Sequence, residues 1–169
     1  MENNNSSANT TLWDAFEHIL LFVSLLVFSA AFSLAGHYFI DRWFPSLTAL
    51  YPDSGDSYYN DYTLTLLRVY LSGIIVSLPF FTLFFLRITK KNVENPQTRN
   101  LKSRKTLIYI TLVLTFIILL ANTISLVYGF VSGNTTVNFL FHFVLTMAVS
   151  GTIFAYYLHE TKEDRRLNV

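Results

Sequence analysis

Residues 107–128 read LIYITLVLTFIILLANTISLVY, a run of 22 residues without a charged side chain. At a rise of ~1.5 Å per residue, a helix of this length crosses the ~30 Å hydrocarbon core of a bilayer. Backbone polar groups in lipid must bond within their own segment, and the run lacks the polar and apolar alternation of a barrel strand. It therefore predicts a transmembrane helix.

Three more apolar runs flank this one, and polar segments separate them. Hydrophobic residues make up 52% of the chain and charged residues 14%, and the charges crowd into the separating segments. With 169 residues, the chain has no room for a soluble catalytic domain beside the membrane part. The sequence predicts one all-α membrane domain over residues 1–169, an up-down bundle of four transmembrane helices that span residues 16–40, 64–86, 107–128 and 139–158.

Basic residues indicate the orientation of the bundle. The segment 87–106 carries seven of the 12 Lys and Arg residues and a single acidic residue, Glu94. Such an excess marks a cytoplasmic loop. The acidic segment 41–63 then lies outside, so the prediction is a multi-pass protein of the cell membrane with both termini in the cytoplasm. Residues 1–11 carry no basic side chain and the run after them is too long for a signal peptide, so the first helix is expected to be retained.

Polar side chains inside the spans are the candidates for a functional site, because they are costly in lipid. With the predicted orientation, one from each helix falls in the outer half: His37, Arg68, Asn122 and His142. Together they would form a ligand site for anions or a proton-responsive site. The structural alternative, which is commoner, is that Arg68 extends to the interface while the others link helices. Asn122 is expected to face the bundle, with His37 or His142 as its neighbour.

Haem is an alternative raised by the histidines, since the first and fourth helices each carry two: His18 and His37, His142 and His159. His18 and His37 are 19 residues apart. That separation is ~28 Å along a helix, which would place two irons at the membrane surfaces. The chain also has no cysteine for thiolate ligation. No cofactor and no metal are predicted.

The chain lacks a phosphate-binding glycine loop, a zinc-protease helix and a serine nucleophile elbow, so no enzymatic activity is predicted. Small residues in the first and fourth helices favour close packing, either within the bundle or in a homo-oligomer. The basic loop is suited to anionic lipid headgroups. The predicted partners are the lipid bilayer and either a membrane-protein partner or a second copy of the chain, with no nucleic acid.

Several short motifs follow one another along the chain: FIDRWFP at 39–45, Arg68 ahead of Pro79, LIYITL at 107–112, SGNTT at 132–136 and FAYYL at 154–158. In this order and spacing they resemble the bacterial membrane-protein family called domain of unknown function 5671, over about residues 15–159. The resemblance implies a small four-helix membrane protein and no assigned activity. It also implies acidic, acidic and basic residues where this chain has His37, Asn122 and His142, whereas Arg68 matches the family pattern. A charge relay carried over from relatives is therefore not expected.

The function predicted from these features is structural or accessory. The alternative is a small transporter, a channel, or a ligand- or proton-responsive protein. The two functions predict different packing of the bundle. An accessory protein needs no solvent path to its buried polar groups, whereas a carrier or channel needs a cavity that reaches them.

Overall fold

The computed structural model describes residues 3–45, 56–94, 102–133 and 135–167, with side chains for 12–45, 62–94, 102–133 and 135–166. Within those residues the chain forms four helices and no strand: α1 (Asn3–Trp43), α2 (Asp56–Glu94), α3 (Lys102–Val131) and α4 (Val137–Leu167). The predicted all-α fold is therefore confirmed.

Each helix contains a stretch that is long and apolar enough to cross a bilayer: Leu12–Trp43, Tyr62–Glu94, Lys102–Val131 and Val137–Arg166. The predicted spans lie inside these stretches, and the helices continue past them into charged sequence. Helix-compatible pairing supports the extensions, as where Lys90 lies 3.8 Å from Glu94 one turn later. In α2, Pro79 lies inside the helix.

Large apolar side chains cover the outside of the bundle. Ile75 is 71% exposed, and many other Leu, Ile, Val and Phe side chains are more than half exposed. Soluble monomers rarely expose apolar patches of that extent. This surface fits a protein whose solvent is lipid.

The bundle consists of two helical hairpins, α1 with α2 and α3 with α4. Gly73 of α2 faces α1 so closely that a Cβ at position 73 would lie 3.0 Å from the Ala31 methyl group. In the other hairpin, the Phe116 and Phe154 rings lie 6.4 Å apart. Helix α2 packs extensively on α1 and barely touches α3 or α4.

The hairpins meet through α1, which contacts both α3 and α4. Residues 36–44, at the end of α1 and just beyond it, contact residues 138–146 of α4, and we call this contact the outer joint. The name follows the predicted orientation, and "outer end" and "inner end" are used in that sense below. Gly36 permits the approach, because a Cβ at this position would lie 2.6 Å from Leu145 Cδ2. Next to it, the rings of Phe44 and Phe141 stack with centroids 4.4 Å apart.

Candidate functional site

Two of the four predicted site residues meet at the outer joint. His37 of α1 and His142 of α4 are in hydrogen-bond contact through their Nδ1 atoms. Their rings stack with centroids 4.6 Å apart and planes 22° apart. A histidine side chain in a span is expensive unless its ring nitrogens are bonded, and each imidazole here supplies a partner for the other.

The imidazole pair belongs to a longer polar chain. His142 Nε2 lies 2.8 Å from Asp41 Oδ1, and His37 Nε2 lies 3.3 Å from Thr146 Oγ1. We refer to Asp41, His142, His37 and Thr146 as the histidine chain. Asn138 fixes the carboxylate at one end by donating from Nδ2 to Asp41 Oδ1 at 3.0 Å.

One assignment of protons satisfies every bond of the histidine chain. A carboxylate only accepts, so His142 Nε2 carries a proton and, in a neutral ring, Nδ1 accepts. His37 Nδ1 then donates to it, and His37 Nε2 accepts from the Thr146 hydroxyl. The donors all point the same way, from Thr146 towards Asp41. In an aligned chain of this kind each hydrogen bond polarises its neighbours and strengthens them.

The other two predicted residues are not part of the histidine chain. Asn122 faces α4, as expected, but its Nδ2 donates to the Phe143 carbonyl at 3.1 Å and not to an imidazole. Arg68 is exposed, and among the described side chains it forms no ion pair. Because Asn122 bonds to backbone, it links helices and leaves the imidazoles to each other.

The imidazole geometry does not fit a haem iron or zinc ion between His37 and His142. Two ring nitrogens on one metal each lie ~2 Å from it, which separates them by more than a hydrogen bond. In this structure the two Nδ1 atoms are hydrogen-bonded partners. Among the described residues, no group of three or more His, Asp or Glu side chains is arranged to hold a metal.

At the inner end, Lys91 joins α2 to α1. Its Nζ lies 2.9 Å from Asp14 Oδ1 and 2.7 Å from Glu17 Oε2. Glu17 is buried, with 5% of the residue exposed. A carboxylate removed from water in this way needs its cation, so the pair fixes the inner end of the first hairpin.

Arg104 joins α3 to α4 in the same region. Its Nη1 lies 2.7 Å from Asp164 Oδ2, and its Nη2 contacts Glu160 Oε1. Glu160 and Asp164 are one helical turn apart, so both carboxylates reach the same guanidinium. Sequence analysis used Lys91 and Arg104 only as orientation charges and missed these partners. The available signal was the presence of acids at 14, 17, 160 and 164, at the same end of the bundle as the basic segment.

A cavity of about 750 Å³ lies between the two hairpins, in the inner half of the bundle. Its middle is apolar, with Leu25, Phe81 and Leu145 in the lining. Its inner rim is polar and includes His18 and Arg104. The rim is crossed by an aromatic contact between α2 and α4, Phe85 to Tyr156, with ring centroids 6.0 Å apart. None of the four predicted site residues lines this cavity.

Four apolar helices in two hairpins define a multi-pass membrane protein of the all-α class. Residues 14–157 match the family described as "Domain of unknown function (DUF5671)", and the chain belongs to that family. The family resemblance of the motifs is thereby confirmed. The match includes the histidine chain and Arg104, and it ends before the two carboxylates that Arg104 binds. No curated protein and no solved structure matches the chain.

Proposed function

We propose that this protein binds an amphipathic small molecule, with one apolar body and one polar end, in the cavity between its two hairpins. The observation that carries the proposal is the cavity of about 750 Å³, which reaches from apolar side chains to polar ones. Its volume lies in the range of ~300–1,000 Å³ that is usual for small-molecule sites. A bundle with a purely structural role is stable when packed without such a space.

The polar rim is the part that would give selectivity. Lipid tails are as apolar as Leu or Phe side chains, so an apolar body gains little by leaving the bilayer for the cavity. Hydrogen bonds to the polar end have no such competitor in the hydrocarbon. His18, Asn92 and Tyr157 line the inner part of the cavity and provide donors and acceptors there. A ligand would therefore be recognised by its polar end and held in place by the shape of the cavity.

A route into the cavity is available from the side. Because few residues of α2 approach α3 and α4, we infer that the two hairpins can part along that side. A membrane-dissolved molecule would enter between them without crossing the headgroup layer. The Phe85 and Tyr156 rings lie across the inner rim and would limit access from that end.

The structural or accessory role is the rival proposal. It needs no space beside buried polar groups, whereas the cavity here borders His18 and Arg104, which are both buried. This contrast favours binding. We further infer a binding protein and not an enzyme, in the cell membrane of a bacterium. Both termini would lie in the cytoplasm, because the basic segment 87–106 marks a cytoplasmic loop. The inner rim then faces the cytoplasm.

Filling the cavity tests the proposal. Purified protein in lipid nanodiscs is titrated with a dansyl-labelled single-chain fatty amide, whose emission shifts when it leaves the bilayer for a fixed site. Ala148 lines the cavity, so Ala148→Trp should weaken saturable binding at least tenfold. Ala121 of α3 is exposed and does not line it, so Ala121→Trp should bind as the natural protein does.

Comparison of Ala148→Trp with the control Ala121→Trp decides whether the cavity is the binding site. Equal binding by both variants, or no saturable binding by the natural protein, would reject the proposal. A change from dimer to monomer in Ala148→Trp, measured by the mass of the nanodisc complex, would show instead that a second copy of the chain occupies the cavity.

A further inference from the structure

We propose that the histidine chain of Asp41, His142, His37 and Thr146 is a proton-binding site that controls how the two hairpins are joined. The proposal rests on the hydrogen bonds of the outer joint and is independent of any ligand in the cavity. The four side chains come from two helices, α1 and α4, that belong to different hairpins. A change in their bonding therefore acts between hairpins and not within one.

The histidine chain lies where a change in its bonding would alter the contact between the two hairpins. Residues 36–44 and 138–146 hold α1 against α4, while α2 barely touches the second hairpin. Asn138 reinforces the joint, because its Nδ2 also donates to the Phe44 carbonyl at 2.7 Å. The hairpins are therefore tied by α1, through the outer joint with α4 and through further contacts with α3, and the cavity lies between them in the inner half. A loosened joint would let them rotate relative to each other.

The first proton is accepted without loss of a bond. In the neutral chain, His37 Nε2 carries no proton and faces the Thr146 hydroxyl at 3.3 Å. A proton at this nitrogen needs only a rotation of the hydroxyl, which then accepts in place of donating. His37 becomes an imidazolium whose Nδ1–H bond to His142 is charge-assisted. The Asp41 carboxylate, beyond His142, supplies the opposite charge.

The second proton breaks the contact. The remaining proton-free nitrogen is His142 Nδ1, and it already accepts from His37 Nδ1. A proton there would leave two N–H groups facing each other and two imidazolium rings stacked at 4.6 Å. Both the lost bond and the repulsion between like charges separate α1 from α4. The site therefore holds one proton with the joint closed and two with the joint open.

The neighbours of the imidazole pair differ from helix to helix. On α1, Asp41 favours a positive charge on the pair, while Arg42 is exposed at the helix end. On α2, Arg68 lies five residues before Gly73, which faces Ala31, so it is level with Gly36, and its side chain is exposed. Helix α3 contributes the uncharged Asn122 to this end of the bundle, bonded to the Phe143 carbonyl of α4.

Protons have access to the chain from the outer end. The Asp41 side chain is 65% exposed, whereas the side chain of His142 is 26% exposed. Because His142 Nε2 already carries the proton that it donates to Asp41, the carboxylate cannot pass a further one to it. A proton from solvent enters when the partly exposed His142 ring turns its proton-free nitrogen towards the surface. The opposite end of the chain, at Thr146, lies inside the bundle, where Ser150 bonds to the Thr146 carbonyl.

The test measures both steps in lipid nanodiscs. Nitrogen-15 spectra of the histidines distinguish a neutral ring, whose two nitrogens differ, from an imidazolium, whose nitrogens are alike. The separation of the hairpins is measured between spin labels on Lys90→Cys and Lys162→Cys, two exposed positions in a chain that has no other cysteine. On acidification, one imidazolium should form in the pair with no change in label separation. The second should form together with a shift of several ångström.

Two variants decide the origin of the shift. His37→Asn with His142→Gln keeps amides at the bonded positions but cannot take up a proton, so the shift should vanish. His18→Gln removes the buried histidine at the inner end and should keep the shift. The proposal is overturned if the double variant keeps it, if His18→Gln abolishes it, or if both rings of the natural protein are protonated without any change in separation. If the double variant does not fold, His142→Gln alone serves in its place, and it should also abolish the shift.

Discussion

Arg104 of α3 donates to Asp164 of α4 with Nη1 and Oδ2 2.7 Å apart, and 5% of the arginine side chain is exposed. The same guanidinium contacts Glu160. Removal of one partner from a buried ion pair costs about 3–5 kcal/mol, because it leaves charge without compensation. Arg104→Ala would leave two carboxylates beside each other, so it should lower the free energy of unfolding by about that amount.

Thermal unfolding in detergent, followed by circular dichroism, measures this loss. Arg87→Ala serves as the matched control, because Arg87 is exposed near the inner end of α2. Exposed substitutions usually change stability by less than about 0.5 kcal/mol. Equal losses in the two variants would show that the Arg104 contacts contribute nothing specific.

Neighbouring lysines of α2 offer a second comparison. Lys91 bonds to Asp14 and Glu17 of α1, whereas Lys90 pairs only with Glu94 on its own helix. Hydrogen bonds to charged groups contribute about 1.5–3 kcal/mol each, while exposed pairs one turn apart contribute about 0.3–0.5 kcal/mol. Because the Lys91 side chain is 39% exposed, water screens its two bonds, and Lys91→Ala should destabilise the protein by about 2 kcal/mol in all. Lys90→Ala should cost less than a quarter of that. High salt should reduce the Lys90 effect more than the Lys91 effect. A reversed order in urea titrations would contradict the assignment.

The helices could be predicted from the sequence, but these ion pairs could not. The four helices were predictable because length and apolarity are local properties of a run such as 107–128. Lys91 and Arg104 were read as topological charges, and that role requires no partner. Their ion pairs depend on which faces of antiparallel helices meet, and facing sides are not encoded in composition.

The candidate site was likewise predictable only in part. Depth along a helix follows from residue number, so His37 and His142 were placed at one level correctly. Rotation about the helix axis does not follow from it, which is why Arg68 points outwards and Asn122 bonds to backbone. The cavity was not predictable at all, since it arises from the weak contact between α2 and the second hairpin.

Gly36 is predicted to be required at the outer joint. A methyl group at this position would lie 2.6 Å from Leu145 Cδ2, so Gly36→Ala should cost about 1–3 kcal/mol through overpacking. Gly151 is the control, because a Cβ there meets nothing within 4 Å. Gly151→Ala should stabilise α4 by about 0.5–1 kcal/mol. Addition of Leu145→Ala should restore part of the loss in Gly36→Ala. Without that rescue, the close approach would not be the cause.

Asn122→Leu should lower stability only slightly. The change removes the bond from Asn122 Nδ2 to the Phe143 carbonyl. Bonds between helices in membrane proteins average about 0.6 kcal/mol. Thr123→Val is the control, since the Thr123 hydroxyl bonds to the Leu119 carbonyl of its own helix. The loss in Asn122→Leu should exceed that in Thr123→Val. A loss above about 2 kcal/mol would mean that Asn122 has further polar partners.

The orientation of the bundle is the last prediction, and it rests on the excess of Lys and Arg in residues 87–106. Single cysteines at Ser54 and Asn134 should react with a membrane-impermeant maleimide in intact cells, and one at Asn95 should react only after lysis. These three positions lie outside the described residues, so the expectation comes from the sequence alone. The cysteine-free chain gives no background. Labelling of Asn95→Cys in intact cells would reverse the orientation, and the histidine chain would then draw its protons from the cytoplasm.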